Sequence, residues 1–133
     1  MSNYVTDTHG LIWYLEDNIR LGLTASQLFD ACDRGEIVIY VPTICLIEII
    51  YLQEKGRIPT HLKAQLDAEL QAGESGLVLV DLTAEVAKAV ANIPRDLVRD
   101  MPDRVISATA LHLGLPLISR DRQIQLTNLE TVW

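Results

Sequence analysis

The chain has 133 residues, 49% of them apolar, and a formal charge of −7. That length fits a single domain over residues 1–133 with enough apolar content for a core. The acidic balance excludes a general basic nucleic-acid binder, although acids clustered around a metal would give a nuclease the same charge. No apolar run is long enough to span a membrane, so no membrane association is expected. The N-terminus lacks the basic and apolar regions of a signal peptide. Cys32 and Cys45 have no CxxC spacing and lie in apolar surroundings, as buried thiols do. Nothing asks for an oxidising compartment, and the expected location is cytoplasmic.

Asn3 to Thr6 reads as a short strand and Thr8 to Leu15 as a helix. Thr24 and Gln27 form a T-x-x-Q capping box, predicting a helix that stops near Gly35. Ile37 to Val41 is β-branched and aromatic, as strands are. Pro42 and Thr43 open a helix that ends at Gly56, and Thr60 to Ala72 forms another, closed by Gly73. Leu77 to Val80 reads as a strand, and Thr83 caps a helix from Ala84 to about Asn92. Pro94 breaks it, and a short helical piece over Arg95 to Arg99 follows. Pro102 to Leu113 is the next helix, stopped by Gly114. Leu115 to Ile118 and Glu130 to Trp133 are the last strand candidates. This alternation predicts an α/β domain, a mainly parallel sheet covered on both faces.

Four acids stand out. Glu48 is the single charge in Ile44 to Leu52. Its helical neighbours Ile44, Cys45, Tyr51 and Leu52 leave it no polar face. An unpaired buried carboxylate costs on the order of several kcal/mol or shifts its pKa until it neutralises, so something compensates Glu48, and a cation is the simplest candidate. Asp7 directly follows the first strand, Asp121 follows the Leu115 strand, and Asp103 begins the helix after Pro102. In an open parallel sheet such positions lie at the carboxyl edge, where sites form. Each also has a plainer role: Asp7 and Asp121 as N-caps, and Asp103 as a first-turn acid with Asp100 as the cap. Together at one edge they would repel, and divalent cations remove that repulsion. All-oxygen donors select Mg²⁺ or Mn²⁺. Arg95, Arg99, Arg104, Arg120 and Arg122 gather near the C-terminal acids. Zinc finds no support, since His9, His61 and His112 lack ligand spacing. No G-x-S-x-G, Walker or G-x-G-x-x-G pattern is present.

Val5-Thr6-Asp7-Thr8-His9-Gly10-Leu11-Ile12-Trp13 resembles the D-T-H-x-L-[IL]-W opening of PIN-domain proteins, particularly VapC-type toxins. Ile47-Glu48-Ile49 resembles their second acidic motif. The segment from Asp100 to Ala110 resembles D-x-x-D-R-x-[IL]-x-A-x-A, and Leu115 to Asp121 resembles L-P-L-[IV]-[ST]-x-D. The four motifs keep their order from Asn3 to Trp133. The resemblance implies an α/β/α sandwich and a metal-dependent ribonuclease. It implies one or two Mg²⁺ or Mn²⁺ ions on Asp7, Glu48, Asp103 and Asp121, with Ser119 as a supporting hydroxyl. Thr8, His9, Arg104 and Arg120 are further candidates for support or substrate contact. The resemblance also implies an RNA substrate, a cognate antitoxin and frequent homodimers. Two departures stand out: Met101-Pro102 replaces the commoner P-F, and Ser119 stands where Thr is frequent.

Three rivals remain. A catalytically inactive module of the same fold would bind protein or RNA and take up Mn²⁺ poorly. A phospho-acceptor receiver needs an acidic pair before its acceptor and a late lysine, whereas the last lysine here is Lys88. A dehalogenase-like phosphatase expects D-x-D, and Asp7-Thr8-His9 offers one acid.

Overall fold

The computed structural model describes residues 2–133 as a five-stranded, all-parallel sheet flanked by helices. The strands are β1 (Asn3–Thr6), β2 (Val38–Pro42), β3 (Leu77–Val80), β4 (Leu117–Ile118) and β5 (Thr131–Val132), in the order β3-β2-β1-β4-β5. The helices are α1 (Thr8–Leu15), α2 (Leu23–Asp33), α3 (Thr43–Glu54), α4 (His61–Ala72), α5 (Ala84–Ala89), α6 (Met101–Leu113) and α7 (Arg122–Gln125), with a 3₁₀ turn at Val90–Asn92. Connections leave β1 in one direction through β2 to β3, then cross back to β4. Right-handed crossovers running in opposite directions place their helices on opposite faces. The chain therefore forms an α/β/α sandwich, with Val5, Ile39, Val41, Leu117 and Ile118 fully buried at its centre. Among the described residues, no helix is long and apolar enough to cross a membrane.

Most predicted boundaries coincide with the observed ones because the punctuation is local. Thr83 caps α5 by accepting from Val86, and Gly73 and Gly114 end α4 and α6 in the left-handed conformation. Three expectations need correction. Thr24 is not a cap: α2 begins at Leu23 with Gly22 at the N-cap and no capping side chain. Its start is held from the far end of the chain, where the Trp133 carbonyl accepts from Ala25 at 3.1 Å. Gly22 sits so close that a Cβ there would stand 2.3 Å from that carbonyl oxygen. Arg95 to Arg99 is not a helical piece. Pro94 accepts from Leu97 and Val98, closing one turn that goes no further. Leu115 to Ile118 forms a ladder only at Leu117–Ile118. Pro116 has no N–H to donate, although its carbonyl still accepts from Val5 at 2.9 Å.

Candidate active site

The β1–β4 pair lies where the connections reverse direction, the point at which open parallel sheets form crevices. Asp7 leaves β1 there and caps α1. Its Oδ1 accepts from the Gly10 N–H at 2.8 Å. Gly10 makes that fit possible, since a Cβ on it would meet Asp7 Oδ1 at 3.0 Å and Thr6 Oγ1 at 3.1 Å. Asp7 is buried, and burial is the main reason its pKa is raised. Asp121 raises it further, while the Gly10 N–H, the Ser119 hydroxyl and His9 pull it down. Ser119, beyond β4, is fully buried, and its Oγ accepts from the Asp121 N–H at 3.1 Å.

Asp121 caps α7, accepting from Gln123 at 2.8 Å and Ile124 at 3.0 Å. Asp100 caps α6 by accepting from Asp103 N–H at 3.2 Å, which leaves the Asp103 carboxylate free in the first turn. The plainer roles of these acids are thus all present. They do not compete with a site: Asp7 and Asp121 cap helices that start at the cleft, and Asp100 caps the helix whose first turn carries Asp103. Asp103 is pushed up to about 7, mainly by burial, then by the charges of Asp100, Asp121, Glu48 and Asp7. Cys45, fully buried behind the edge, has its thiol pushed up by burial and by Asp7, Glu48 and Asp103. It is therefore held as an inert thiol.

Glu48 is only half-buried. Its apolar neighbours are not all interior, since α3 leaves Ile47 49% and Tyr51 59% exposed. The acid that the burial argument describes is Asp7. Glu48 instead accepts a 2.5 Å hydrogen bond from the Thr8 hydroxyl, which ties α3 to the start of α1.

A cleft of about 600 Å³ is lined by Asp7, His9, Trp13, Asp103, Arg120, Asp121 and Arg122. A second depression of about 500 Å³ shares Asp103 and Asp121 and continues past Asp100. Glu48 lines neither. Arg104 lines neither as well: its guanidinium donates to the Val90 and Ile93 carbonyls at 3.0 Å each. Those carbonyls bracket the 3₁₀ turn, and that of Val90 also accepts from the Ile93 N–H at 3.1 Å. Sequence reading missed Trp13 and Gly10 as site residues. A glycine in the first turn of a helix, three residues after an acidic cap, was the available signal.

Among the described residues the ion pairs are Arg34–Glu36 and Lys63–Asp67, and neither involves the four acids. None of the four acids is therefore held in a salt bridge; like charges weigh on Asp103, and His9 offsets part of the burden on Asp7. As placed, no three His, Cys, Asp or Glu side chains among the described residues converge on one ion. Mg²⁺ is commonly held by one or two carboxylates and completed by water, so the all-oxygen set fits a hard divalent ion in that way.

Fold and cleft together define a parallel α/β sandwich with carboxylates gathered at its switch point. The chain belongs to the PIN domain family, whose model matches residues 4–128. It is 29% identical over 125 residues to Ribonuclease VapC22 of Mycobacterium tuberculosis (strain ATCC 25618 / H37Rv), covering 94% of this chain and 92% of that one. Its fold matches that of a toxin–antitoxin complex from Klebsiella pneumoniae with a TM-score of 0.68, at 18% identity over 98% of this chain and 96% of that one. It likewise matches VapC20 of Mycobacterium tuberculosis, a sarcin–ricin loop cleaving toxin, with a TM-score of 0.67, at 16% identity over 95% of both chains.

Proposed function

We propose that this chain is a divalent-metal-dependent ribonuclease and the toxin of a toxin–antitoxin pair. The observation that carries the reading is the carboxylate edge of the cleft: Asp7 buried, Asp103 pushed up to about 7, and neither in a salt bridge. The family and the ribonuclease relative support RNA as the polymer cut. The Klebsiella pneumoniae complex supports an antitoxin partner.

Asp7, Asp103 and Asp121 would offer carboxylates to the ion from the cleft, one or two binding it directly and the others through water, with Glu48 on α3 at the margin. A bound Mg²⁺ or Mn²⁺ supplies an activated water and neutralises charge on the phosphate. The chain's own residues do the rest. The Gly10 N–H fixes the Asp7 carboxylate. The buried Ser119 hydroxyl favours the ionised form of Asp7. Thr8 fixes Glu48. Arg120 and Arg122, on the cleft wall, offer guanidinium donors to phosphate oxygens. No side chain need act as a covalent nucleophile. The exposed Ile47 and Tyr51 on α3 are apolar surface that a homodimer or antitoxin contact would cover.

The test is cleavage of labelled RNA by the purified chain with Mg²⁺, with Mn²⁺ and with excess EDTA. Cutting should require the ion and vanish in Asp7→Asn and in Asp103→Asn. Full cutting in EDTA, or by both variants, contradicts the proposal.

A further inference from the structure

One end of the cleft is built of flat groups rather than acids. Trp13 is only 8% exposed and forms the floor of that end. The edge of Trp133 braces it at 5.7 Å between ring centroids. The Arg120 guanidinium lies 4.7 Å over the Trp13 ring, and the exposed His9 ring stands 5.6 Å from it, tilted by 51°. Arg120 is exposed, and the ion pairs of the described residues do not include it. A guanidinium stacked on an indole is held by its flat face, through cation–π attraction and weak hydration. Arg120 is held over Trp13 on one side and open to solvent on the other, in the loop between the buried Ser119 and the half-buried Asp121.

A guanidinium held against an indole beside an exposed imidazole is suited to an unpaired nucleobase. Single-stranded RNA is bound by stacking its splayed bases on aromatic rings and arginine planes. Helical RNA keeps its bases stacked on one another and offers none. We infer that Arg120, backed by Trp13 and flanked by His9, forms a base-stacking subsite that seats one unpaired nucleobase beside the acidic edge. The inference deepens the ribonuclease reading and rests on it for the polymer. Here Arg120 contributes its shape as well as its charge, a distinction that lysine can test.

The experiment is equilibrium binding of a short labelled single-stranded RNA to the full chain carrying Asp103→Asn, which the ribonuclease reading expects to bind without cutting. Arg120→Lys, which keeps the charge and loses the plane, should weaken binding by roughly tenfold, the order of one lost stack. His9→Ala, at an exposed ring, should weaken it several-fold. An abasic site moved along the RNA should weaken binding at one position and have no further effect in the Arg120→Lys background. If Arg120→Lys binds as tightly as arginine, or if abasic sites are tolerated everywhere, the subsite is refuted. The two readings fail separately. A parent chain that cuts RNA but ignores both the plane and the base loses only the subsite. One that shows the stacking pattern and never cuts RNA loses only the nuclease. A chain that binds no RNA loses both.

Discussion

At the β1–α1 junction, Asp7 is buried and anchored by a backbone N–H. On α3, Glu48 is half-buried and rests on one side-chain hydroxyl. The first position is set by main-chain geometry and close packing, and the second by a rotatable Thr8. An acid fixed by the backbone is preorganised and carries the cost of desolvation, which its raised pKa records. An acid on a long side chain at a half-open surface costs less to hold and can swing. In the proposed ion site, Asp7 would be the fixed end and Glu48 the adjustable end.

The largest effect should come from Asp7→Asn. Asparagine also caps helices, so the fold survives while metal-dependent cleavage falls by more than about a hundredfold. Glu48→Gln should cost about tenfold, as expected of the adjustable partner. Equal losses in a side-by-side cleavage assay would erase the distinction between the two regions. Gly10→Ala sharpens it. Alanine gains up to about 1 kcal/mol of helix propensity, but its Cβ would press on the Asp7 carboxylate and Thr6, and overpacking costs about 1–3 kcal/mol. The variant should show a lower Tm and roughly tenfold slower cleavage, because small displacements of a reacting group are costly. Unchanged rates would mean that Asp7 does not depend on its close fit.

Much of this site was legible because its signals are local. Asp7, Asp100 and Asp121 sit where N-caps belong, and the alternation of strand and helix brings their helix starts to one edge. What was not legible depended on distance in the chain. The start of α2 is bonded to Trp133, so the T-x-x-Q pattern at Thr24 was a coincidence of composition. The Glu48 argument treated every apolar neighbour as buried, and α3 exposes two of them. Arg104 follows Asp103 and looked like part of the site, yet helical spacing turns it toward Val90 and Ile93. Trp13 is core on one side, while its other face supports Arg120 at the cleft.

Smaller effects probe the supports. Thr8→Val removes the donor to Glu48 and should weaken Mn²⁺ affinity several-fold by calorimetry, less than loss of either acid. Normal affinity would show that Glu48 needs no anchor. Arg104→Gln should leave RNA cleavage intact and lower stability by about 1.5–3 kcal/mol, the scale of losing charged hydrogen bonds to two carbonyls. A cleavage defect with normal stability would return Arg104 to the substrate side.

The central claim is that a divalent ion relieves the repulsion at this edge, and thermal unfolding across pH tests it directly. Asp103 moves from 3.8 to about 7 on folding, and Asp7 is also raised. A raised carboxyl pKa stabilises the fold fully below the unfolded value and loses that contribution as pH climbs through the folded one. Without ions, the contribution of these two acids to stability should fall from about pH 4 to about pH 7, so Tm should drop over that window. Mn²⁺ binds the ionised acids, so the Tm it restores should be small near pH 5 and grow toward pH 8. A Tm that Mn²⁺ leaves unmoved at pH 8, or raises equally at pH 5 and pH 8, would contradict the account.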